Sequence, residues 1–367
     1  MLDRPVAVLG GGNGAQTMAA DLTLAGLKVH LYEHPSLAES PRFAPVLQSR
    51  AIELRGVGRR GLARVARVTT RMDEALDGVT WINLVIPATG HEVFFEALIP
   101  HLRDGQVVVV WAGDYGSLRL AHLLREHGSK ANVLLAEANT LPYGTRLEGP
   151  GAANLLLTAP RVLLAALPGT RSAELVSALQ PVYPCLVPCR NVIAAALSNP
   201  NPIVHPPGSL LNVGRIQYSG GDFRMYREGI TEAVARVIRL VYDETAALAA
   251  KWGFEVEGYE DRDFKTTASI MGVAFQAPFD TIGVIASIGG PHSISDRYIT
   301  EDLPFGLVPV VQFGEKLGVP TPLTRAIIDI GGAVCGTNFW ETGRTLRQLG
   351  LADLSPREIA ERVDVTG

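Results

Sequence analysis

The first half of the chain carries its hydrophobic residues in short, unbroken blocks. VAVLG at Val6 to Gly10, KVHLYE, WINLVIPA at Trp81 to Ala88, QVVVVWAG at Gln106 to Gly113 and NVLLAEANT each hold several consecutive apolar residues. Such runs predict strands buried on both faces of a parallel sheet. The stretches between them have helical spacing: one helix opens after GGGNGA and runs to about Ala25, a second is HEVFFEALIPHL, and a third runs from about Ser117 to His127. NLLLTA and RVLLAAL predict two further strands of the same sheet. After about Pro188 the strand-like runs stop. A helix is predicted from about Thr231 to Trp252, with others through DFKTTASIMGVAFQ, LVPVVQFGEKLG and TPLTRAIIDIGGAVCG. The expected fold is therefore an α/β doubly wound sheet over residues 1–188, followed by a mainly α-helical domain over residues 189–367.

The first strand ends in a pattern with a mechanism. Gly10, Gly12 and Ala15 form G-x-G-x-x-A at the start of the first predicted helix. Gly10 permits the tight turn, Gly12 lets backbone approach a pyrophosphate on the helix N-terminus, and Ala15 lets helix and strand pack closely. The strand before it, the helix after it and Glu33 at the end of the second strand make this a Rossmann-type dinucleotide site. Gly10, Gly12, Asn13, Gly14, Ala15 and Glu33 are the expected cofactor residues. Glu33 suits ribose hydroxyls and repels a 2′-phosphate, which favours NAD(H), with NADP(H) as the alternative. Arg42 reads as a surface arginine. Pro87 and Ala88, beyond the carboxyl end of the third strand, are expected to face the cofactor. His91, on the next helical turn, reads as a solvated helix-start residue.

Composition narrows the classes. The chain has 367 residues, enough for two domains, and 47% of them are hydrophobic, enough for a sizeable core. No apolar run approaches the ~18 residues of a membrane span. The net charge of −4 includes no basic block, so nucleic acid is an unexpected partner. Cys185, Cys189 and Cys335 form neither a disulfide framework nor a zinc set, and they read as free thiols in a cytoplasmic protein. No metal site is expected. The helical half could form a homodimer, although no heptad seam marks one.

Two polar segments carry candidate chemistry. SNPNPIVHPP, Ser198 to Pro207, places His205 among four prolines. Each proline removes a backbone donor and fixes φ, so a stiff turn is expected rather than a helix interior. His205 is there either a positioned acid/base group or a solvated loop residue. Asn201 in the same segment is a candidate for substrate binding. SDRYITEDLPFG, Ser295 to Gly306, reads alone as a solvated loop. Taken with His205, a carboxylate from Asp296, Glu301 or Asp302 and the guanidinium of Arg297 suit proton transfer beside a bound carboxylate substrate.

Together, VLGGGNGA, EANTLPYGTR, NPNPIVHPP, DRYITEDLP and GRTLRQLGL resemble the opine dehydrogenase family of the octopine/nopaline type. The resemblance implies reductive condensation of an α-keto acid, often pyruvate, with the amino group of an amino acid, using NAD(P)H. It implies His205 as catalytic acid/base, Asp302 as its carboxylate partner and Arg297 as the binder of a substrate carboxylate. Tyr143 and Arg146, at a strand's end, are candidates for substrate binding or belong to an ordinary turn. Two alternatives stay open: a ketoacid reductase resembling 2-dehydropantoate reductases, with Lys265 as its lysine, and a dinucleotide-binding sensor without chemistry.

Overall fold

The apolar runs of the first half pair side by side. β1 (Val6–Leu9) lies between β2 (Val29–Tyr32) and β6 (Trp81–Leu84), all parallel. β5 (Arg67–Thr69) extends the sheet beyond β2, and β7 (Val107–Trp111) and β8 (Leu134–Ala138) extend it beyond β6. β11 (Val162–Leu167) pairs antiparallel with β8, and β12 (Leu186–Pro188) parallel with β11. The order is β12-β11-β8-β7-β6-β1-β2-β5. The chain reverses direction across the sheet between β1 and β6, and ligands of doubly wound sheets lie beyond the strand ends at that point. The computed structural model describes residues 1–264, 270–271 and 289–366.

One predicted strand belongs elsewhere. NLLLTA falls in β10 (Ala152–Thr158), which joins β4 (Gly61–Arg64), β3 (Ala51–Gly56) and β9 (Tyr143–Gly149) in a second sheet of order β4-β3-β10-β9. The physical reason lies in α1 (Asn13–Leu24), whose residues Ala15 to Leu22 are all buried. A helix covered on one face only would show a polar stripe; α1 packs on β1 and β2 and also on all four strands of the second sheet. Polar ties fix that sheet to the helix. Thr17 and Thr145 share a 2.6 Å hydroxyl contact, Asn13 Oδ1 accepts from Leu147 N at 3.0 Å, and Asp21 accepts from Arg59 at 2.9 Å.

The chain divides into two units, Met1–Ala195 with Val363–Gly367, and Ala196–Arg362. The last residues of the sequence thus return to the first unit. Asp364 explains that return: its carboxylate accepts from Arg190 at 2.8 Å and Asn191 at 2.6 Å, and Val363 beside it is fully buried. In the second unit, α5 (Glu232–Lys251) and α7 (Pro322–Cys335) pack on each other and on both α4 (Asn201–Leu210) and α6 (Val308–Leu317). The predicted helix through DFKTTASIMGVAFQ, and Lys265 with it, lies largely outside the described residues. No helix among the described residues is long and apolar enough to cross a membrane.

α4 corrects the reading of SNPNPIVHPP. From Asn201 onward the segment is a helix, not a turn, and Pro206 and Pro207 lie inside it. Pro200 and Pro202 sit at its start, where a missing N–H costs nothing. The two interior prolines each cost about 3 kcal/mol in an exposed helix. Here every residue from Pro202 to Leu210 is buried, so tertiary packing against α5 and α7 offsets that cost.

The loop after β7 is held in an unusual conformation. Ala112, Asp114 and Tyr115 all have positive φ, at 52°, 44° and 66°. Each such residue costs on the order of 1–3 kcal/mol and persists only where its surroundings enforce it. Glu137, at the end of β8 and fully buried, enforces it. Its carboxylate accepts from Tyr115 N at 2.6 Å, Ser117 N at 3.0 Å and Ser117 Oγ at 2.6 Å. It also caps α3 (Gly116–Glu126), whose own N-cap residue supplies no side-chain acceptor. Glu137→Ala should lower unfolding stability by about 3 kcal/mol or more in urea titration, since buried donors lose a charged acceptor. A loss below about 0.5 kcal/mol would show that the loop does not depend on Glu137.

Candidate functional site

In the first unit the glycine loop leaves β1 and enters α1. Gly10 has φ +121°, and a Cβ there would sit 2.6 Å from Val85 O, so only glycine fits. A Cβ on Gly12 would meet nothing within 4 Å, so the helix N-terminus opens onto free space. Gly14 packs against Leu141 and Val85, and Ala15 is fully buried. Gln16 braces the loop, donating to Gly11 O at 2.8 Å and Arg42 O at 3.0 Å. Glu33 is buried against Gly11 and accepts from His34 N at 2.8 Å; burial pushes its carboxyl up from the ordinary value. Arg42 is exposed. Pro87 ends the segment after β6 and starts the turn that buries Ala88.

His91 departs from its expected solvated position. It is fully buried at the start of α2 (His91–Leu98), with its ring against Gly116, where a Cβ would come within 2.7 Å of it. The strained β7–α3 connection packs over the imidazole, which sequence spacing could not show. Tyr143 is likewise buried, in β9, where its environment includes Tyr183 and Asp21. Arg146 is exposed and donates to the carbonyl of Thr145 at 2.9 Å. Both belong to the first unit. Cys185, Cys189 and Cys335 are free and half-buried, and no cluster of metal ligands occurs among the described residues.

In the second unit α4 brings His205 to a set of polar groups. Its Nδ1 lies 2.7 Å from Asp302 Oδ2, and both residues are buried, at 4% and 5% exposure. Its Nε2 lies 2.8 Å from the Tyr226 hydroxyl. The Tyr298 ring stacks on the imidazole at 3.7 Å, nearly parallel. The three candidate carboxylates take separate partners. Asp296 caps the helical turn Arg297–Thr300 by accepting from Tyr298 N at 3.2 Å. Glu301 faces Arg297 at 3.6 Å, and Asp302 bonds to His205.

The DRYITEDLP block is therefore not a solvated loop: Tyr298, Ile299, Glu301, Asp302 and Leu303 are all buried. Asp302 opens a π-helical turn, Asp302–Leu307, whose Gly306 packs directly on Pro202 of α4. π-turns inside helical segments recur at functional sites. Arg344, from the GRTLRQLGL segment, is buried with its guanidinium over Phe305 of the same turn. Arg297 itself is half-exposed. Asn201 stands at the first position of α4, its N–H donating to Asn199 Oδ1 at 3.0 Å. Burial pushes the Asp302 carboxyl up to about 8, with the nearby Arg297 charge acting the other way.

Residues 188–335 match the family model described as NAD/NADP octopine/nopaline dehydrogenase, alpha-helical domain. An opine dehydrogenase of Arthrobacter sp. (strain 1C) is 30% identical over 363 residues, covering 98% of each chain. The chain belongs to the opine dehydrogenase family. A vitopine synthase of Allorhizobium ampelinum is 27% identical over 98% of this chain and 99% of its own. An octopine dehydrogenase solved in complex with NADH and agmatine shares the fold, with TM-score 0.71, 19% identity and 97% coverage of both chains.

The enzyme is an NAD(P)-dependent oxidoreductase. Its glycine loop fits a dinucleotide, because the one position with open space, Gly12, is the one at the N-terminus of α1. Two residues of the second unit escaped sequence reading. Tyr226 lies in the short π-helical turn Met225–Gly229, which has no motif of its own, and Tyr298 was visible only as part of DRY. The buried Asp302 also has a thermodynamic consequence for the enzyme. Its native carboxyl keeps a proton up to about 8, while the unfolded chain releases it near 3.8. Raising pH through that window removes protons from the unfolded state first, so it favours unfolding. Asp302→Asn should flatten the fall in melting temperature between pH 4 and 8; equal slopes in variant and wild type would contradict the shift.

Proposed function

We propose that the enzyme joins an α-keto acid of the pyruvate type to the amino group of an amino acid, reduces the adduct to a secondary-amine dicarboxylate, and catalyses the reverse oxidation. The buried His205–Asp302 pair, with Nδ1 and Oδ2 2.7 Å apart, carries this reading. When bound, the reduced dinucleotide supplies the hydride that the adduct carbon receives. The chain's own groups must manage the protons. The amine has to shed one before its nitrogen can attack, and the carbinolamine oxygen has to gain one before it leaves as water. A histidine with one nitrogen fixed by a carboxylate keeps a defined tautomer and a stabilised protonated form at the other.

Arg297 is the proposed clamp for a substrate carboxylate. Its guanidinium is half-exposed, and a planar fork matches a carboxylate with two parallel hydrogen bonds. Asn201, one helical turn before His205, is a further candidate for substrate contact. In the first unit, Gly10, Gly12, Asn13, Gly14 and Ala15 form the proposed pyrophosphate cradle, with Pro87 and Ala88 beyond β6. The buried Glu33 carboxylate favours NADH over NADPH, since a 2′-phosphate beside it would be repelled. The half-buried free cysteines suit a reducing compartment such as the cytoplasm.

NADH oxidation should require both a keto acid and an amine across a panel of amino acids with pyruvate, glyoxylate and 2-oxoglutarate. Turnover with a keto acid alone, unchanged by any amine, would contradict the proposal. His205→Ala should lower kcat by ~10²–10⁴-fold, the range of positioned acid/base help, with NADH binding retained by fluorescence titration. Arg297→Ala should chiefly raise the KM for the keto acid; unchanged kinetics would remove Arg297 from the site.

A further inference from the structure

His205 has close neighbours at both ring nitrogens and on one ring face. Its Nδ1 is held by Asp302, one ring face lies under Tyr298, and its Nε2 is 2.8 Å from the Tyr226 hydroxyl. A proton leaving Nε2 meets the Tyr226 oxygen first. Resting on the acid/base role proposed above for His205, we infer that Tyr226 is a catalytic residue whose hydroxyl carries protons between His205 and the reacting oxygen of the substrate.

The turn that bears Tyr226 is built onto the helix that bears His205. Met225–Gly229 is a π-helical turn, and Met225 seats in the gap left by Gly208, where a Cβ would lie 2.7 Å from its sulfur. Asn212 joins the two elements, donating to Gly208 O at 2.8 Å and to Gly229 O at 2.9 Å. Tyr226 is 6% exposed, and burial holds its phenol well above the ordinary value, with Tyr298 and the Asp302 carboxyl pushing the same way and the Arg297 charge opposing them. A phenol that stays neutral is unsuited to act as a stored base. It can accept one proton while donating another.

The relay balances. As the His205 Nε2–H bond breaks, an O–H bond forms on Tyr226. The original Tyr226 O–H bond breaks as its proton passes to the carbinolamine oxygen, which then leaves as water. Tyr226 ends neutral, and His205 regains its proton from the amine nitrogen by the reverse path. Neither residue is oxidised or reduced.

Tyr226→Phe keeps the ring and removes the hydroxyl. It should lower kcat by ~10²-fold or more while the NADH dissociation constant and the keto-acid KM stay within about threefold. The wild-type solvent-isotope proton inventory of the single-turnover step should be curved, as expected when more than one proton moves, and that of the variant linear. If Tyr226→Phe retains kcat within about threefold while His205→Ala has lost its rate, the inference about Tyr226 fails and the role of His205 stands. If His205→Ala retains the wild-type rate, the underlying reading fails first. Should Tyr226→Phe not fold, a linear wild-type inventory overturns the relay and a curved one supports it.

Discussion

The 2.7 Å hydrogen bond between His205 and Asp302 is the constraint around which the second unit is arranged. An ionised carboxylate removed from water would lose several kcal/mol of solvation, so burial keeps a proton on the pair, shared between Asp302 and its histidine partner. Both groups must then be held still. α4 supplies the histidine from a helix buried along nearly its whole length, and the π-turn from Asp302 to Leu307 supplies the carboxylate. Gly306 against Pro202 locks one to the other, since a Cβ at Gly306 would lie 2.3 Å from the proline ring. Pro202 of SNPNPIVHPP has a physical role as packing surface for the partner turn.

The same principle recurs in the first unit. Glu137 is fully buried, accepts three hydrogen bonds and imposes left-handed backbone on non-glycine residues past β7. In both units a buried carboxylate fixes loop geometry that local sequence would not choose. Such groups are costly unless satisfied, and each of these has its partners within 3.0 Å.

Much of this fold was legible in the chain. Continuous apolar runs located the central strands, because a strand covered on both faces has no polar side to show. The G-x-G-x-x-A spacing located the turn into α1, because Gly10 and Gly12 answer to backbone geometry. What was hidden depended on tertiary cover. β3 and β4 are short and charged, and their pairing makes sense only once α1 needs covering on its outer face. His91 looked solvated until the β7–α3 connection closed over it. The helical state of SNPNPIVHPP was hidden because local proline rules oppose it and only packing reverses them. Among Asp296, Glu301 and Asp302, a difference of one residue turns a side chain by about 100° on a helix, so spacing alone could not choose the partner of His205. Tyr226 comes from a separate short turn and left no local signal.

The central claim is that Asp302 and His205 hold one proton between them in a site removed from water. ¹⁵N and ¹H NMR of histidine-labelled protein, with the His205 signals assigned by their loss in His205→Asn, tests it directly. The account predicts a far-downfield Nδ1 proton that persists to about pH 8 and collapses in Asp302→Asn. A His205 ring whose signals titrate as those of a solvated histidine, unchanged by Asp302→Asn, would contradict it.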